Sequence, residues 1–308
     1  MNKEQQPFLS PVSFISLLQD LCGKDGILHL CRYMNNVFFL SLLLMVNLSC
    51  SQSQTKTSPV AASRSNRVLP GNAGSMEVIH VFVALCDNKY QGIVPVPAQI
   101  GNGQDPGNNL YWGCRYGVKA YFSAHQNWKQ VSVKKYDAGN IILERVVFKY
   151  KTKEVYLIAD AYDGKEIRTC TVNFLKSCSG DFRDSVLIGN KTIYCGGSSG
   201  TLSYVGHDGL MDFSLQESYR AVDSNKREAM IFACISKKYF AAHIRSTGAF
   251  PVVWTTGLCS PEAYSLAAAL ESRINKDHIE KAALHAAEAY SKFQKCSFSA
   301  ARRLMVFN

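Results

Sequence analysis

Among its 11 cysteines the sequence has no Cys-x-x-Cys pair, so the usual ligand spacing of structural zinc is missing and no metal is implied. No apolar stretch approaches the about 20 residues of a membrane-spanning helix; the longest, Val37 to Val46, covers ten positions. Lys and Arg never run longer than two in a row, so the net charge of +10 reads as a solvated basic surface, and no nucleic-acid motif stands out. Phosphate-cradling loops are lacking too. The stretch from Ala159 to Glu166 imitates a P-loop without its first glycine or its final Ser/Thr, and reads as a strand-to-helix turn. Gly101, Gly103 and Gly107 are wrongly spaced for a dinucleotide fingerprint, and Pro106 falls where its helix should start. No cofactor is implied.

The chain does have hydrophobic content of 47% and aromatic content of 11%, sufficient for one sizeable core. Residues 1–33 read as an upstream extension, with Met34 the better initiator because it sets the apolar run right at the N-terminus. A run of this length suits a signal-peptide core. Its end, Leu48-Ser49-Cys50, resembles the lipobox of bacterial lipoproteins, which implies a lipid on Cys50 and attachment to the cell envelope on the periplasmic or outer-membrane side. A start at Met76 would instead leave a cytoplasmic domain. Residues 51–75, rich in Ser, Pro, Gly and Asn, read as a tether, and residues 76–308 as one folded domain. If the protein is exported, some of the eight cysteines after Cys50 can pair, with connectivity left open.

Glu77 to Cys86 is a continuous apolar run, the mark of a strand buried on both faces of a parallel sheet. A turn-rich loop follows, then an expected helix from Asn109 to Phe122. Strands are expected at Ile141–Tyr150 and Lys153–Asp160, a helix at Glu166–Leu175, and strand-like blocks at Thr201–Val205, Ala229–Ala233 and Phe250–Thr256. Ser260, Pro261 and Glu262 read as N-cap, N1 proline and acidic first turn of a helix. Asp277 with Glu280 reads as the capping box of the final helix, reaching about Gln294. The alternation predicts an α/β fold with a mostly parallel sheet flanked by helices.

In such sheets reactive groups gather at the carboxyl ends of strands. Two blocks end there in capable residues, Gly206-His207-Asp208-Gly209 and Ala233-Cys234-Ile235-Ser236. A thiol needs a neighbouring base to act as a nucleophile, and an imidazole supplies one. Gly196-Gly197-Ser198-Ser199-Gly200 matches the G-x-S-x-G nucleophile elbow, which requires a strand before and a helix after; Thr201–Val205 reads as a strand, so a glycine-rich hairpin turn is the plainer expectation. Ser198 with His243 or His285 remains a formal serine-hydrolase set. Asp160 and Asp163 read as turn-stabilising carboxylates, or as a pair facing the site. His278 and His285 read as surface residues.

Strands ending in His and then in Ala-Cys, with Ser236 and bulky residues after the cysteine, resemble the cysteine-peptidase clan of caspases, legumains, gingipains and clostripain over about residues 77–270. The resemblance implies a caspase-like three-layer sandwich and cleavage or transfer at a peptide bond of a protein or peptide substrate. His207 would be general acid/base and Cys234 nucleophile. The amides of Asp208, Gly209 and Cys234 would be oxyanion donors, and the strand ending in Trp254, Thr255 and Thr256 would border the substrate pocket. In the clan, Gly follows the His directly; here Asp208 intervenes, and the interval to Cys234 is short. A silent binding module with the same fold is therefore the rival reading. Specificity for a basic substrate residue is not supported, because no pocket acid is identified; Asp208, Asp212 and Glu262 are only candidates.

Overall fold

The computed structural model describes residues 76–307. The upstream extension at 1–33, the signal-like segment with Cys50 and the tether at 51–75 lie outside the described residues.

Strand β1 (Glu77–Ala84) is the middle of the fold. Its residues alternate between two buried faces: Ile79, Val81 and Val83 face one core, Val78, Phe82 and Ala84 the other. A strand with no wet face must sit inside a covered parallel sheet. It pairs in parallel with β4 (Val155–Tyr162) and with β7 (Thr201–Val205). Parallel pairing continues to β8 (Glu228–Phe232) and β9 (Phe250–Thr255). Beyond β4, β3 (Ile142–Tyr150) and β2 (Trp128–Lys135) are antiparallel; beyond β9, the two-residue β10 (Met305–Val306) is antiparallel. The eight-stranded order is β10-β9-β8-β7-β1-β4-β3-β2.

Helices α1 (Val118–Ala124), α4 (Ala263–Ile274), α5 (Glu280–Gln294) and α6 (Phe298–Leu304) contribute to the core on one face. Helices α2 (Ile167–Ser179) and α3 (Ser236–Thr247) pack on the other, where the hairpin of β5 (Arg183–Ile188) and β6 (Lys191–Gly196) extends the cover. The expected α/β fold, a mostly parallel sheet flanked by helices, is present, with an arrangement compatible with three layers.

Several expectations are corrected. Between Asn109 and Phe122 only the end from Val118 is helical. The preceding chain doubles back so closely that a Cβ on Gly113 would sit 2.0 Å from the Gly107 carbonyl oxygen. Strand β4 runs past Asp160, because that carboxylate is paired inside the sheet cover rather than ending the strand. Helix α4 starts at Ala263; Glu262 is its N-cap residue, but its carboxylate bonds to Tyr264 and Gln294 instead of capping. The Asp277 capping box does not form. Ile279 precedes α5, and Asp277 accepts from the Ser272 hydroxyl. Nor is α5 final, since α6 and β10 follow. Gly196–Gly200 is a turn between two different sheets, so it is not a hairpin.

Candidate active site

Register puts the two candidate residues side by side. Val205 of β7 pairs with Phe232 of β8, and His207 and Cys234 each lie two residues further on. Neighbouring strands are about 4.8 Å apart. Both residues line one cavity of about 150 Å³ at the carboxyl end of the sheet, with Gly92, Ile93, Val94 and Val96 also lining it. The short connection from β7 to β8 holds only a 3₁₀ turn, Gly209–Met211, yet it suffices for a parallel crossover.

The chain leaves β7 through Gly206, whose φ of 141° is a backbone state side chains resist. A Cβ there would lie 2.6 Å from the Ala84 carbonyl oxygen. Gly206→Ala is therefore expected to lower stability by more than about 1 kcal/mol, seen as a lower urea midpoint at an unchanged slope. The His207 carbonyl accepts from the Tyr204 hydroxyl at 2.8 Å, and His207 Nε2 meets Asp212 Oδ2 at 2.8 Å. The Gly92 amide holds the same oxygen at 2.9 Å. With Nε2–H donating to a carboxylate, Nδ1 carries the lone pair and is the basic atom. Asp212 is thus an orienting group for His207, a role the sequence reading did not give it; a carboxylate five residues after the His was the available signal.

Cys234 sits on a sharp strand-to-helix turn. Ile235, β-branched, has φ 51° and ψ 29°, a conformation costing on the order of 1–3 kcal/mol and found where the surroundings over-determine it. Here they do. Ser236 Oγ donates to the Ile231 carbonyl at 3.0 Å and accepts from the Thr255 amide at 2.9 Å. Thr255 Oγ1 accepts from the Ser236 amide at 3.1 Å and donates to the Ala233 carbonyl. The Ile235 amide reaches the Gly257 carbonyl at 2.9 Å. The thiol meets Cys259: the Cys259 amide donates to Cys234 Sγ at 3.4 Å, and Sγ lies 3.5 Å from the Cys259 carbonyl. Bonding from the Cys259 side chain, opposed by burial and aided by the Cys259 amide, holds the Cys234 thiol below its ordinary range. By contrast burial pushes the thiol of Cys86, at the end of β1, up to about 12.

Asp208 and Gly209 do not line the cavity. A Cβ on Gly209 would touch Phe213 and Ile167, on the α2 side, and Asp208 is wholly buried with its Oδ1 accepting from the Leu210 amide at 3.0 Å. Cys234 is thus the one named oxyanion donor on a lining residue. Trp254, Thr255 and Thr256 are not lining residues either. Trp254 is core, Thr255 clamps the Cys234 turn, and Thr256 Oγ1 donates to the Arg303 carbonyl at 2.5 Å. Of the candidate acids only Glu262 lines the cavity. Ser198 belongs to a different cavity, bordered by Glu77, Gly200 and Thr201 at the amino ends of the strands, and strand β7 follows it where an elbow needs a helix. His243 lies against Tyr219, and His285 is 3.9 Å from Asp277.

Asp163 does stabilise a turn, accepting from the Lys165 amide at 3.1 Å. Asp160 serves in a buried ion pair with Arg145. Next to the lining residues Leu110 and Tyr111 stands Asn109, which the sequence reading placed only at the start of a helix. It is buried, bonds both polar groups of the Cys86 backbone at 3.0 and 2.9 Å, and accepts from the Tyr111 amide at 3.1 Å. No disulfide joins any of the eight described cysteines, and no group of three or more His, Cys, Asp or Glu is gathered for a metal among the described residues. None of the described helices is long and apolar enough to cross a membrane.

No family model matches the chain, and no curated protein or solved structure is significantly similar to it.

Proposed function

We propose that the domain is a cysteine peptidase or transpeptidase with a caspase-like fold, working through His207 and Cys234. The observation that carries this reading is their placement at matching positions past paired parallel strands, on one cavity. His207 Nδ1 takes the thiol proton while Asp212 steadies the imidazolium. The thiolate attacks a peptide carbonyl, the C–N bond breaks as the imidazolium protonates the leaving amine, and the resulting thioester passes to water or another amine. A lipid on Cys50 would present this activity to protein or peptide substrates at a bacterial envelope; Cys50 lies outside the described residues.

Alkylation of Cys234 by iodoacetamide, followed by mass spectrometry of the tryptic peptide, tests it. Cys234 is expected to react at pH 7 about 10- to 100-fold faster than a free cysteine. His207→Ala should remove most of that acceleration, Asp212→Asn part of it, and Ser198→Ala none. Labelling no faster than a free thiol and indifferent to His207 would sink the proposal. The silent binding module draws on one observation, the Gly209 position outside the cavity wall, and predicts that null result. A fluorophosphonate adduct at Ser198 would point to serine chemistry.

A further inference from the structure

Of the eight described cysteines, Cys234 and Cys259 alone line the cavity at the carboxyl end of the sheet, each half-buried. One residue converges on the sulfur of the other. The Cys259 amide donates to Cys234 Sγ at 3.4 Å, Sγ lies 3.5 Å from the Cys259 carbonyl oxygen, and the Cys259 side chain is the largest influence holding the Cys234 thiol below its ordinary range. A sulfur that merely filled space would lie against apolar side chains instead. The bond from the Ile235 amide to the Gly257 carbonyl, at 2.9 Å, pins the two segments beside each other. Cys234 is held by the Ser236–Thr255 clamp, whereas Cys259 lies between β9 and α4, outside any helix or strand. Closing a disulfide therefore needs rotation of two side chains and adjustment of that irregular connection. Cys86, at the end of β1, is no competitor: burial pushes its thiol up to about 12, and it does not line the cavity.

We propose that Cys234 and Cys259 form a dithiol site for hydroperoxides, in which Cys234 is oxidised first and Cys259 resolves the product into a reversible disulfide. The Cys234 thiolate attacks a peroxide oxygen; an S–O bond forms, the O–O bond breaks, and the leaving oxygen takes up the proton the thiol had lost. The Cys259 sulfur then attacks the sulfenic sulfur, so that an S–S bond forms, the S–O bond breaks and water departs with the Cys259 proton. With hydrogen peroxide, two thiols are oxidised to one disulfide and one peroxide is reduced to two waters. The site goes beyond the peptidase reading and stands without it, because it needs a thiolate and a neighbouring sulfur but no peptide. For a peptidase at an envelope it would guard the nucleophile, since a disulfide is reducible and a sulfinic acid is not.

The full protein, reduced with dithiothreitol and then freed of it, is treated with equimolar hydrogen peroxide, blocked with N-ethylmaleimide and digested with trypsin. Cleavage after Arg227, Lys237, Arg245 and Arg273 leaves each cysteine alone on its own peptide, 228–237 and 246–273. The expected product is these two peptides joined, with the mass of two hydrogens lost. Iodoacetamide labelling of Cys234 should fall at least about tenfold until dithiothreitol restores it. In Cys259→Ser the joined species should disappear and dimedone should trap Cys234 as the sulfenic acid, with longer peroxide exposure causing a loss that dithiothreitol does not reverse. Cys296→Ser should behave as the wild type. The wild-type digest alone is decisive should the Cys259 variant not fold. No modification of Cys234, its joining to another cysteine, or a dimedone adduct as abundant in the wild type as in Cys259→Ser would overturn the proposal. Alkylation of Cys234 still dependent on His207 would then leave the peptidase reading standing. The joined peptides together with alkylation indifferent to His207 would uphold the dithiol site and overturn the peptidase reading instead.

Discussion

Asp160→Ala is expected to destabilise the domain by about 3–5 kcal/mol, because removing one partner of a buried ion pair strands the other charge in the interior. Arg145 is that stranded charge. It grips Asp160 through Nε–Oδ1 at 2.6 Å and Nη2–Oδ2 at 2.7 Å, with Asp184 a second, half-exposed partner at 2.8 Å. His80 completes the cluster. Its Nδ1 accepts from the Gly196 amide at 2.9 Å, so Nε2 carries the proton and donates to Asp160 Oδ2 at 2.9 Å. The cluster ties β1, β3 and β4 to the covering hairpin. A domain of this kind has only about 5–15 kcal/mol in total, so the variant should unfold at a much lower urea concentration.

Replacing Arg145 and Asp160 together by Met and Leu should recover most of the loss, since no buried charge is then left unpaired and Asp184 is exposed to water. Burial pushes the Asp160 carboxyl up, and Arg145 with His80 more than offsets it, holding it at about 2. Its folded value lies below the unfolded one, so the wild-type contribution is complete above pH 4 and fades as pH falls towards 2. A recovered double variant should lack that acid-side loss in urea titrations at pH 2–5.

What could be read from the sequence follows from period and burial. Strands β1, β4, β7, β8 and β9 are apolar almost throughout because both faces are covered, and such runs announce themselves. Their polar ends located His207 and Cys234. Less legible were elements whose cover is partial. Strand β2 is an edge strand with five exposed residues of eight, and β5 alternates weakly. Polar residues mislead in a consistent way: Asp160 reads as a strand end, and Glu262 and Asp277 as helix-start residues. The buried Asp160 and Glu262 spend their side chains on partners distant in sequence, and the half-buried Asp277 accepts from Ser272 behind it, none of which local pattern shows. Asn109 and the Thr255–Ser236 clamp stayed hidden for that reason.

Asp208→Asn is expected to make stability far less sensitive to a rise in pH between about 4 and 8. The residue after the candidate base is wholly buried, and its Oδ2 has no hydrogen-bond partner. Burial pushes this carboxyl up to about 8; the Leu210 amide pulls it down, while Cys234 and Asp212 raise it further. The folded state therefore holds a proton that the unfolded chain, with a carboxylate of ordinary pKa near 3.9, has released. Stability is complete below about pH 4 and declines as pH rises to about 8, because the unfolded state binds fewer protons across that window. At about 1.4 kcal/mol per pH unit, the wild type should lose about 3–4 kcal/mol between pH 5 and pH 8 relative to the Asn variant, whose side-chain oxygen can still accept from Leu210. Urea titrations at the two pH values measure the difference, and parallel curves would show that Asp208 is ionised in the fold. Near Cys234 the proton has a second effect. A neutral Asp208 leaves the thiolate unopposed at pH 7, whereas ionisation above about 8 sets two negative groups against each other. Iodoacetamide labelling of the wild type should accordingly gain less than that of Asp208→Asn as pH rises from 7 to 9, linking the stability of this loop to the nucleophile it supports.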